Sequence, residues 1–278
     1  MNLSFIDIHS HIQFPDYDSD REAVIKRALD AGVATITVGV DLESSKKAVE
    51  LANTCENVWA SVGIHPTEMG NLENFDELEK LAKEPKVLAI GECGLDYFVN
   101  ADKRGLKTRM DADKKRQEEV FRKQIDLAIL VDKPLMLHLR SGEGNDAYEE
   151  AIKILTTYGF DKLTTGNQQL TTKLKGNAHF FAGTVEQAKK FIDMGFMLSF
   201  TGVITFTHDY DEVMKSVPLD RIMSETDCPD VSPVPFRGKR NEPINVREVV
   251  KKIAEIRGEE YEKVREQMVE NAIKLFKF

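Results

Sequence analysis

Short apolar runs recur along the chain, and stretches with apolar residues at helical spacing separate them. Eight runs are predicted to form strands, at residues 5–9, 35–40, 58–64, 87–92, 134–139, 177–181, 196–200 and 222–227. Phe5, Ile6 and Ile8 place apolar side chains on both faces of the first run. This pattern is typical of a parallel strand that helices cover on both sides.

Helix signals lie between the predicted strands. Ser19 and Thr184 each have a Glu or Gln three positions later, the pattern of a capping box, and each precedes an amphipathic stretch. Gly32 and Gly195 follow these stretches, where glycine commonly ends a helix. Further helices are predicted within 116–134 (with Phe121, Ile125 and Ala128 as its apolar stripe), at 246–256 and at 261–275.

The repeated alternation of strand and helix predicts an α/β protein with a (β/α)8 TIM-type barrel. A doubly wound open sheet is the alternative. Because no linker, low-complexity run or internal repeat divides the chain, residues 1–278 are predicted to form a single domain.

The first strand carries two histidines, His9 and His11, behind Asp7. Residues i and i+2 of a strand point to the same side, so both rings face one environment. Burying two imidazoles without partners is costly. A metal ion would remove that cost, but it needs further ligands from elsewhere in the chain.

The active site of a barrel lies at the carboxyl ends of its strands. Five of the six histidines fall at the predicted strand ends, and the sixth, His208, follows the seventh strand. The polar residues at these ends are His9, His11, His65, Glu92, His138, His179 and Asp227. Strand interiors favour apolar residues, so one common site explains this clustering better than isolated, unrelated histidines.

Imidazole and carboxylate groups are ligands for Zn, Mn, Fe and Mg. The predicted metal ligands are His9, His11, Glu92, His138, His179 and Asp227. This set exceeds what one tetrahedral ion takes, so two divalent ions (Mg, Mn or Zn) are predicted, with Glu92 as their bridge. Two such ions can activate water and stabilise both the attacking and leaving oxygens of a phosphoryl displacement.

Charge and composition limit the function classes. The formal net charge of −9 excludes a basic nucleic-acid coat, so contact with DNA must be local, and the basic runs at 102–116 and 236–240 are candidates. Three cysteines fit a reducing compartment better than a disulfide framework. No leader pattern or membrane-spanning stretch is recognised, so we expect a cytoplasmic protein with no membrane contact and no obligate protein partner.

Three residues beside the predicted ligands need their own interpretation. Cys93 and Cys228 directly follow the two carboxylates, so they should point away from the metals as small buried residues. Asp7 either supports His9 or faces a helix end.

Seven motifs occur in order from the first strand to the last helix. They are FIDIHSH (5–11), SVGIHP (61–66), AIGECGLDYF (89–98), HLR (138–140), HFFAG (179–183), SETDCPDVSPVPFRGKRNEP (224–243) and ENAIKLF (270–276). With them the chain resembles the TatD family of metal-dependent hydrolases, which belongs to the amidohydrolase-type barrels. GECGLDY followed by ETDCPD is the specific part of this resemblance.

The resemblance implies how two metals share the ligands. His9, His11, Glu92 and Asp227 would hold one metal, and Glu92, His138 and His179 would hold the other. Asp227 and Glu92 would be the catalytic residues, and Asp227 would orient or deprotonate the attacking water.

The resemblance also implies a substrate side. His65 would contact a phosphate oxygen, and Arg237 would pair with Asp227 or with a phosphate. Tyr97 and Phe98 either stack on a base or pack the top of the barrel. The implied activity is that of an Mg-dependent deoxyribonuclease, a 3′-to-5′ exonuclease, with DNA or another phosphodiester as substrate.

Two other functions remain open: an amidohydrolase-type enzyme (an amidase, lactonase or deaminase) acting on a small molecule, and a non-catalytic metal-binding or DNA-repair scaffold. Phosphotriesterase-like barrels also begin with His-x-His but tend to use a modified lysine as the bridge, so Glu92 favours the TatD-like interpretation. Leu139, Phe180 and Ala182 depart from the family pattern around the second metal and leave the ligand types unchanged. The stretch 160–177 is expected on the face remote from the chemistry.

Overall fold

A computed structural model describes residues 3–68, 75–98, 107–159 and 174–278, with side chains from residue 113 onward in the fourth helix. The strands are β1 (Phe5–Ser10), β2 (Val33–Val38), β3 (Val58–Val62), β4 (Val87–Asp96), β5 (Leu135–Arg140), β6 (Gly176–Ala178), β7 (Met197–Phe200) and β8 (Ile222–Ser224). The helices are α1 (Arg21–Asp30), α2 (Leu42–Thr54), α3 (Phe75–Ala82), α4 (Lys107–Val131), α5 (Ala147–Thr157), α6 (Val185–Asp193), α7 (Asp211–Ser216), α8 (Val246–Arg257) and α9 (Tyr261–Phe276). Within these ranges, no helix combines the length and the apolar character needed to cross a bilayer. Residues 102–106 of the basic run 102–116 lie outside the described residues, and the rest of that run belongs to α4, with side chains described from residue 113. Residues 160–173 of the stretch 160–177 also lie outside the described residues.

The strands form one parallel sheet in sequence order, and the sheet closes on itself. Closure occurs where the backbone after β8 meets β1. The Asp227 amide donates to the carbonyl of His9 at 2.9 Å, and the His11 amide donates to the carbonyl of Cys228 at 2.8 Å. The predicted (β/α)8 TIM-type barrel is confirmed, and the open-sheet alternative is wrong.

Strand bounds differ from the prediction at the carboxyl ends. β4 continues past Glu92 to Asp96, whereas β6 ends before His179 and β8 ends before Asp227. Phe180 and Asp227 have φ angles of 44° and 55°. A strand cannot continue through such dihedral angles, so neither β6 nor β8 can extend to the predicted end of its run.

The two predicted capping boxes have different outcomes. At α6 the Thr184 hydroxyl accepts from the Gln187 amide at 3.2 Å and the Gln187 side chain accepts in return at 2.9 Å, which confirms the prediction. The box at Ser19 is wrong, because Asp20 is the residue before α1 and makes no capping bond. Its carboxylate instead accepts two hydrogen bonds from Arg240, at 2.8 and 2.7 Å.

Glycine ends both of these helices in the predicted way. Gly32 and Gly195 follow α1 and α6 with φ angles of 70° and 89°, a left-handed backbone that other residues adopt with strain.

Apolar side chains fill the space between strands and helices. The predicted stripe of α4, Phe121, Ile125 and Ala128, is fully buried in the larger cluster. A smaller cluster joins strand residues such as Met136 and Met223 to the last turns of α9. Polar side chains lie together instead at the carboxyl ends of the strands.

Candidate metal centre

Glu92, on β4, lies at the centre of the polar cluster and is 4% exposed. Its Oε2 atom lies 3.4 Å from His9 Nε2 and 3.8 Å from His11 Nε2. Asp227 Oδ1 approaches the same two nitrogens, at 3.8 and 3.4 Å. The backbone bonds between β1 and the segment after β8 place Asp227 here, so these four side chains form one group.

The other oxygen of Glu92 faces a second group of imidazoles. Oε1 lies 2.7 Å from His138 Nδ1, 3.3 Å from His179 Nε2 and 3.7 Å from His65 Nε2. Residues from β4, β5 and the loops after β3 and β6 therefore meet at one atom. A carboxylate whose two oxygens face separate donor groups has the arrangement of a bridge between two cations.

The donors fit divalent cations. Three sets have ligand atoms within 4.8 Å of one another: His9, His11 and Asp227; His65, Glu92 and His138; His9, His179 and Glu225. In the described part of the chain, no Lys or Arg pairs with Glu92 or Asp227. His9 Nδ1 is buried without a hydrogen-bond partner in that part. Buried carboxylates that meet only imidazoles are suited to a cation, and imidazole with carboxylate suits Zn, Mn or Mg.

Three of the imidazoles are oriented through the ring nitrogen that points away from the centre. His11 Nδ1 lies 2.7 Å from the carbonyl of Val38. His138 Nε2 lies 3.1 Å from Asp96, and His179 Nδ1 lies 3.1 Å from Glu225. Such partners fix the tautomer, so the inward nitrogen is free to bind.

Asp96 and Glu225 are functional candidates that the sequence analysis missed. A signal was present, because Glu225 stands two positions before Asp227 and Asp96 ends the GECGLD run. Asp96 and Glu225 can be recognised as groups that orient a histidine only when it is known which ring nitrogen of His138 and of His179 faces the cluster.

Asp7 supports the barrel backbone beneath the cluster. Its carboxylate accepts from the Thr226 amide at 2.8 Å and from the Thr226 hydroxyl at 2.6 Å. It also accepts from the backbone amide of His9 at 3.3 Å, so it holds β1 against the segment before Asp227. Burial raises the pKa of Asp7 well above its ordinary value, although the bonds from Thr226 oppose this.

The two carboxylates that face the imidazoles remain ionised. Burial raises the pKa of Glu92, but attraction to the surrounding imidazoles together with the hydrogen bonds from His138 and His179 outweighs it, so the pKa is held well below the ordinary value. Burial likewise raises the pKa of Asp227, and the hydrogen bond from His11 outweighs it and lowers the pKa. Anionic oxygens are therefore ready for a cation at neutral pH.

The pKa values of the imidazoles are shifted in different directions. Burial lowers the pKa of His9, and it lowers the pKa of His65 to about 4. Burial opposes protonation of His179 and His138 as well, but Glu225 and Asp96, respectively, outweigh it and raise both pKa values. The cation-free site therefore holds protons on the rings that have carboxylate partners.

We expect cation affinity to rise with pH and cation binding to release protons. A cation binds the neutral ring, so it competes with the protons that the raised pKa values hold on His138 and His179. Affinity is weak below those pKa values and increases as the pH rises through them. Calorimetric titration with Mn²⁺ at about pH 6 and about pH 8, in buffers of different ionisation enthalpy, measures both effects. Equal affinities with no proton release would contradict this expectation.

The predicted substrate residues lie at different depths. The His65 side chain is 14% exposed, and its Nδ1 lies 2.8 Å from the Thr67 hydroxyl. Tyr97 is buried in the apolar core, whereas Phe98 is exposed beneath the Arg140 guanidinium, 3.9 Å from its ring centre. Among these two aromatics, Phe98 is therefore the one at the surface.

Arg237 is exposed on the loop after β8. Its guanidinium lies 3.7 Å from the ring centre of Phe206, and its Nη1 lies 3.5 Å from the carbonyl of Ser232. In the described contacts it does not reach Asp227. Arg240, in the same basic run, is committed to Asp20 and does not form a free anion site.

Cys93 and Cys228 are fully buried, which confirms the prediction for them. Neither belongs to a set of possible ligands among the described residues. Burial raises the pKa of both thiols, so neither supplies a thiolate.

An eight-stranded parallel barrel with imidazoles and carboxylates gathered at the carboxyl ends of its strands is the arrangement of a metal-dependent hydrolase. Residues 6–277 match the family model of the TatD related DNases. The chain therefore belongs to the TatD family.

Relatives and solved structures are similar over nearly the whole chain. The metal-dependent hydrolase YabD of Bacillus subtilis is 37% identical, covering 98% of both chains. The metal-dependent hydrolase YcfH of Escherichia coli K12 is 31% identical, covering 99% of this chain and 96% of its own. The crystal structure of the TatD homologue YjjV from E. coli K12 superposes with a TM-score of 0.84 at 26% identity, covering 100% of both chains. These likenesses extend from β1 to α9.

Proposed function

We propose that the protein is a divalent-cation-dependent deoxyribonuclease that removes nucleotides from DNA in the 3′-to-5′ direction. The observation that carries this proposal is the position of Glu92, whose two oxygens face separate imidazole groups. The family name supports DNA as the substrate. The proposed ligands of two ions (Mg, Mn or Zn) are His9, His11, Glu92, His138, His179 and Asp227.

The chain's own side chains would take separate roles. When bound, the two cations supply the charge that activates water and stabilises a phosphoryl transition state. Glu92 would hold both ions, since it is the carboxylate common to both groups. The Asp227 side chain is 20% exposed against 5% for Glu92, so Asp227 Oδ1 would orient the attacking water and accept its proton.

The substrate would approach from the mouth of the barrel. His65 lies at the edge of the cluster and would donate to a phosphate oxygen. Arg237 is exposed and would contact a phosphate farther along the strand. For Tyr97 the burial favours packing, so Phe98 would offer the aromatic surface to a base.

An exonuclease assay tests this proposal. Purified protein loaded separately with Mg²⁺, Mn²⁺ or Zn²⁺ is incubated with single-stranded DNA labelled internally and at the 5′ end, so that shortened products remain visible. We expect a ladder of products that shorten one nucleotide at a time from the 3′ end. Products that appear only at internal sites would contradict exonuclease action. Intact DNA with every metal, together with hydrolysis of small esters or amides, would establish the amidohydrolase-type alternative.

A further inference from the structure

The two halves of the cluster differ in what supports their histidines. On the side of Glu92 Oε1, each of two rings has a buried carboxylate behind it. Asp96, with a side chain 6% exposed, supports His138, and Glu225, with a side chain 0% exposed, supports His179.

Among the described residues, no carboxylate makes a hydrogen bond to the outward ring nitrogen of either histidine on the side of Glu92 Oε2. His11 Nδ1 meets a neutral carbonyl, that of Val38, at 2.7 Å. His9 Nδ1 has no hydrogen-bond partner in the described part of the chain.

Glu225 is built into the fold at some cost. Its Oε1 accepts from the Phe180 amide at 2.6 Å, and its Oε2 accepts from the Ser199 hydroxyl at 2.7 Å. His179 is the only ionisable basic group that pairs with it among the described residues. Even with these partners, full burial of a carboxylate is costly, so a role for its charge beside His179 explains why this position carries glutamate.

We propose that the two cation positions fill in order. The position at Glu92 Oε1, His138 and His179 would bind first and more tightly, and the position at His9, His11 and Asp227 would bind second and lose its ion more readily. This inference rests on the proposed two-cation centre.

The physical reason is that an outer carboxylate strengthens its histidine as a ligand. It fixes the tautomer, increases the basicity of the inward nitrogen and adds negative charge near the ion, effects worth about 10- to 100-fold in affinity. Asp227 gives the other position a direct carboxylate, but its side chain is 20% exposed, so water screens it. Asp96 and Glu225 are screened far less, because they are buried. We therefore assign them as positioning residues of the first cation site.

The test is a titration of the full chain, stripped with a chelator, with Mn²⁺ alone. Calorimetry should show two steps separated by at least about 10-fold in affinity. Electron paramagnetic resonance should show isolated Mn²⁺ at one equivalent and a spin-coupled pair at two.

Variants assign the two steps. Glu225→Gln should weaken the first step about 10- to 100-fold, and Asp96→Asn should act in the same direction. Asp227→Asn should weaken only the second step. Asp209→Asn makes the same chemical change at an exposed carboxylate before α7, which accepts from the Thr207 hydroxyl, and as the control it should change neither step. Thermal melting of each metal-free variant shows whether it is folded. If Glu225→Gln does not fold, the titration of Asp96→Asn tests the proposal in its place.

Three results would overturn the order of filling while leaving two bound ions. They are equal steps in the wild type, loss of the tight step in Asp227→Asn, and unchanged steps in both Glu225→Gln and Asp96→Asn. Binding of fewer than two Mn²⁺ by the wild type would instead refute the two-cation centre, and the order with it.

Discussion

Replacement of Glu92 by glutamine should abolish DNA hydrolysis and weaken the binding of both cations together. Glu92 is the carboxylate that faces both imidazole groups, at 3.4 Å from His9 and 2.7 Å from His138. Glutamine keeps the shape but replaces one oxygen with an amide group that cannot bind a cation. Since cation stabilisation supplies several kcal/mol in such sites, we expect kcat/KM to fall by at least about 10³-fold.

The measurement is steady-state cleavage of labelled DNA at increasing Mn²⁺, with bound Mn²⁺ counted in parallel. Glu68→Gln is the matched control, because Glu68 is exposed on the loop that carries His65. The stripped Glu92→Gln protein should melt at a lower temperature than the stripped wild type, because the ionised Glu92 carboxylate interacts favourably with the imidazoles around it, and its melting curve shows whether it is folded under the assay conditions. Wild-type turnover by this variant at saturating Mn²⁺ would show that Glu92 does not bridge the ions.

The architecture was predictable because strand and helix leave different periodicities. The alternation of apolar runs with helical stretches predicts all eight strands of the barrel in order. Their ends were less predictable. The backbone dihedral angles of Phe180 and Asp227 lie outside the extended region, and the residue types at these positions do not predict this.

Long-range contacts override local helix signals. Ser19 and Glu22 form a good capping pattern, yet α1 begins at Arg21. Asp20 is held there by Arg240, a residue 220 positions away in the chain. A pattern confined to four residues contains no information about that partner.

The inward-facing groups were predictable because strands alternate and barrels place function at one end. That reasoning selected the residues that the structure brings together around Glu92. Asp96 and Glu225 were not predicted, since their role as hydrogen-bond partners depends on how the rings of His138 and His179 are oriented. Such orientation is a property of packing in three dimensions.

The aromatic pair shows a similar limit. Tyr97 and Phe98 are adjacent, and both were candidates for stacking on a base. Because β4 continues to Asp96, the alternation carries Tyr97 into the core and leaves Phe98 at the surface. The length of β4 therefore decides which of these two side chains can contact a ligand.

Replacement of Asp227 by asparagine should lower kcat far more than it raises KM. In the proposed mechanism Asp227 accepts a proton from water, and its carboxylate is ionised because His11 holds the pKa low. Asparagine keeps an oxygen that can contact a cation, but it cannot accept the proton. General-base catalysis contributes about 10²- to 10⁴-fold, so we expect kcat to fall within that range at saturating Mn²⁺.

Asp209→Asn is the control here as well, because it makes the same chemical change at an exposed carboxylate and should leave kcat unchanged. The decisive comparison is kcat against bound Mn²⁺ in Asp227→Asn. If the residual rate follows the amount of the second ion and returns to the wild-type value when both positions are filled, Asp227 is a ligand and water donates its proton elsewhere. If kcat stays low with two ions bound, the loss belongs to the proton that asparagine cannot take. Because the Asp227 side chain is more exposed than that of Glu92, at 20% against 5%, it is the carboxylate of the pair that water can reach, and the second result is the expected one.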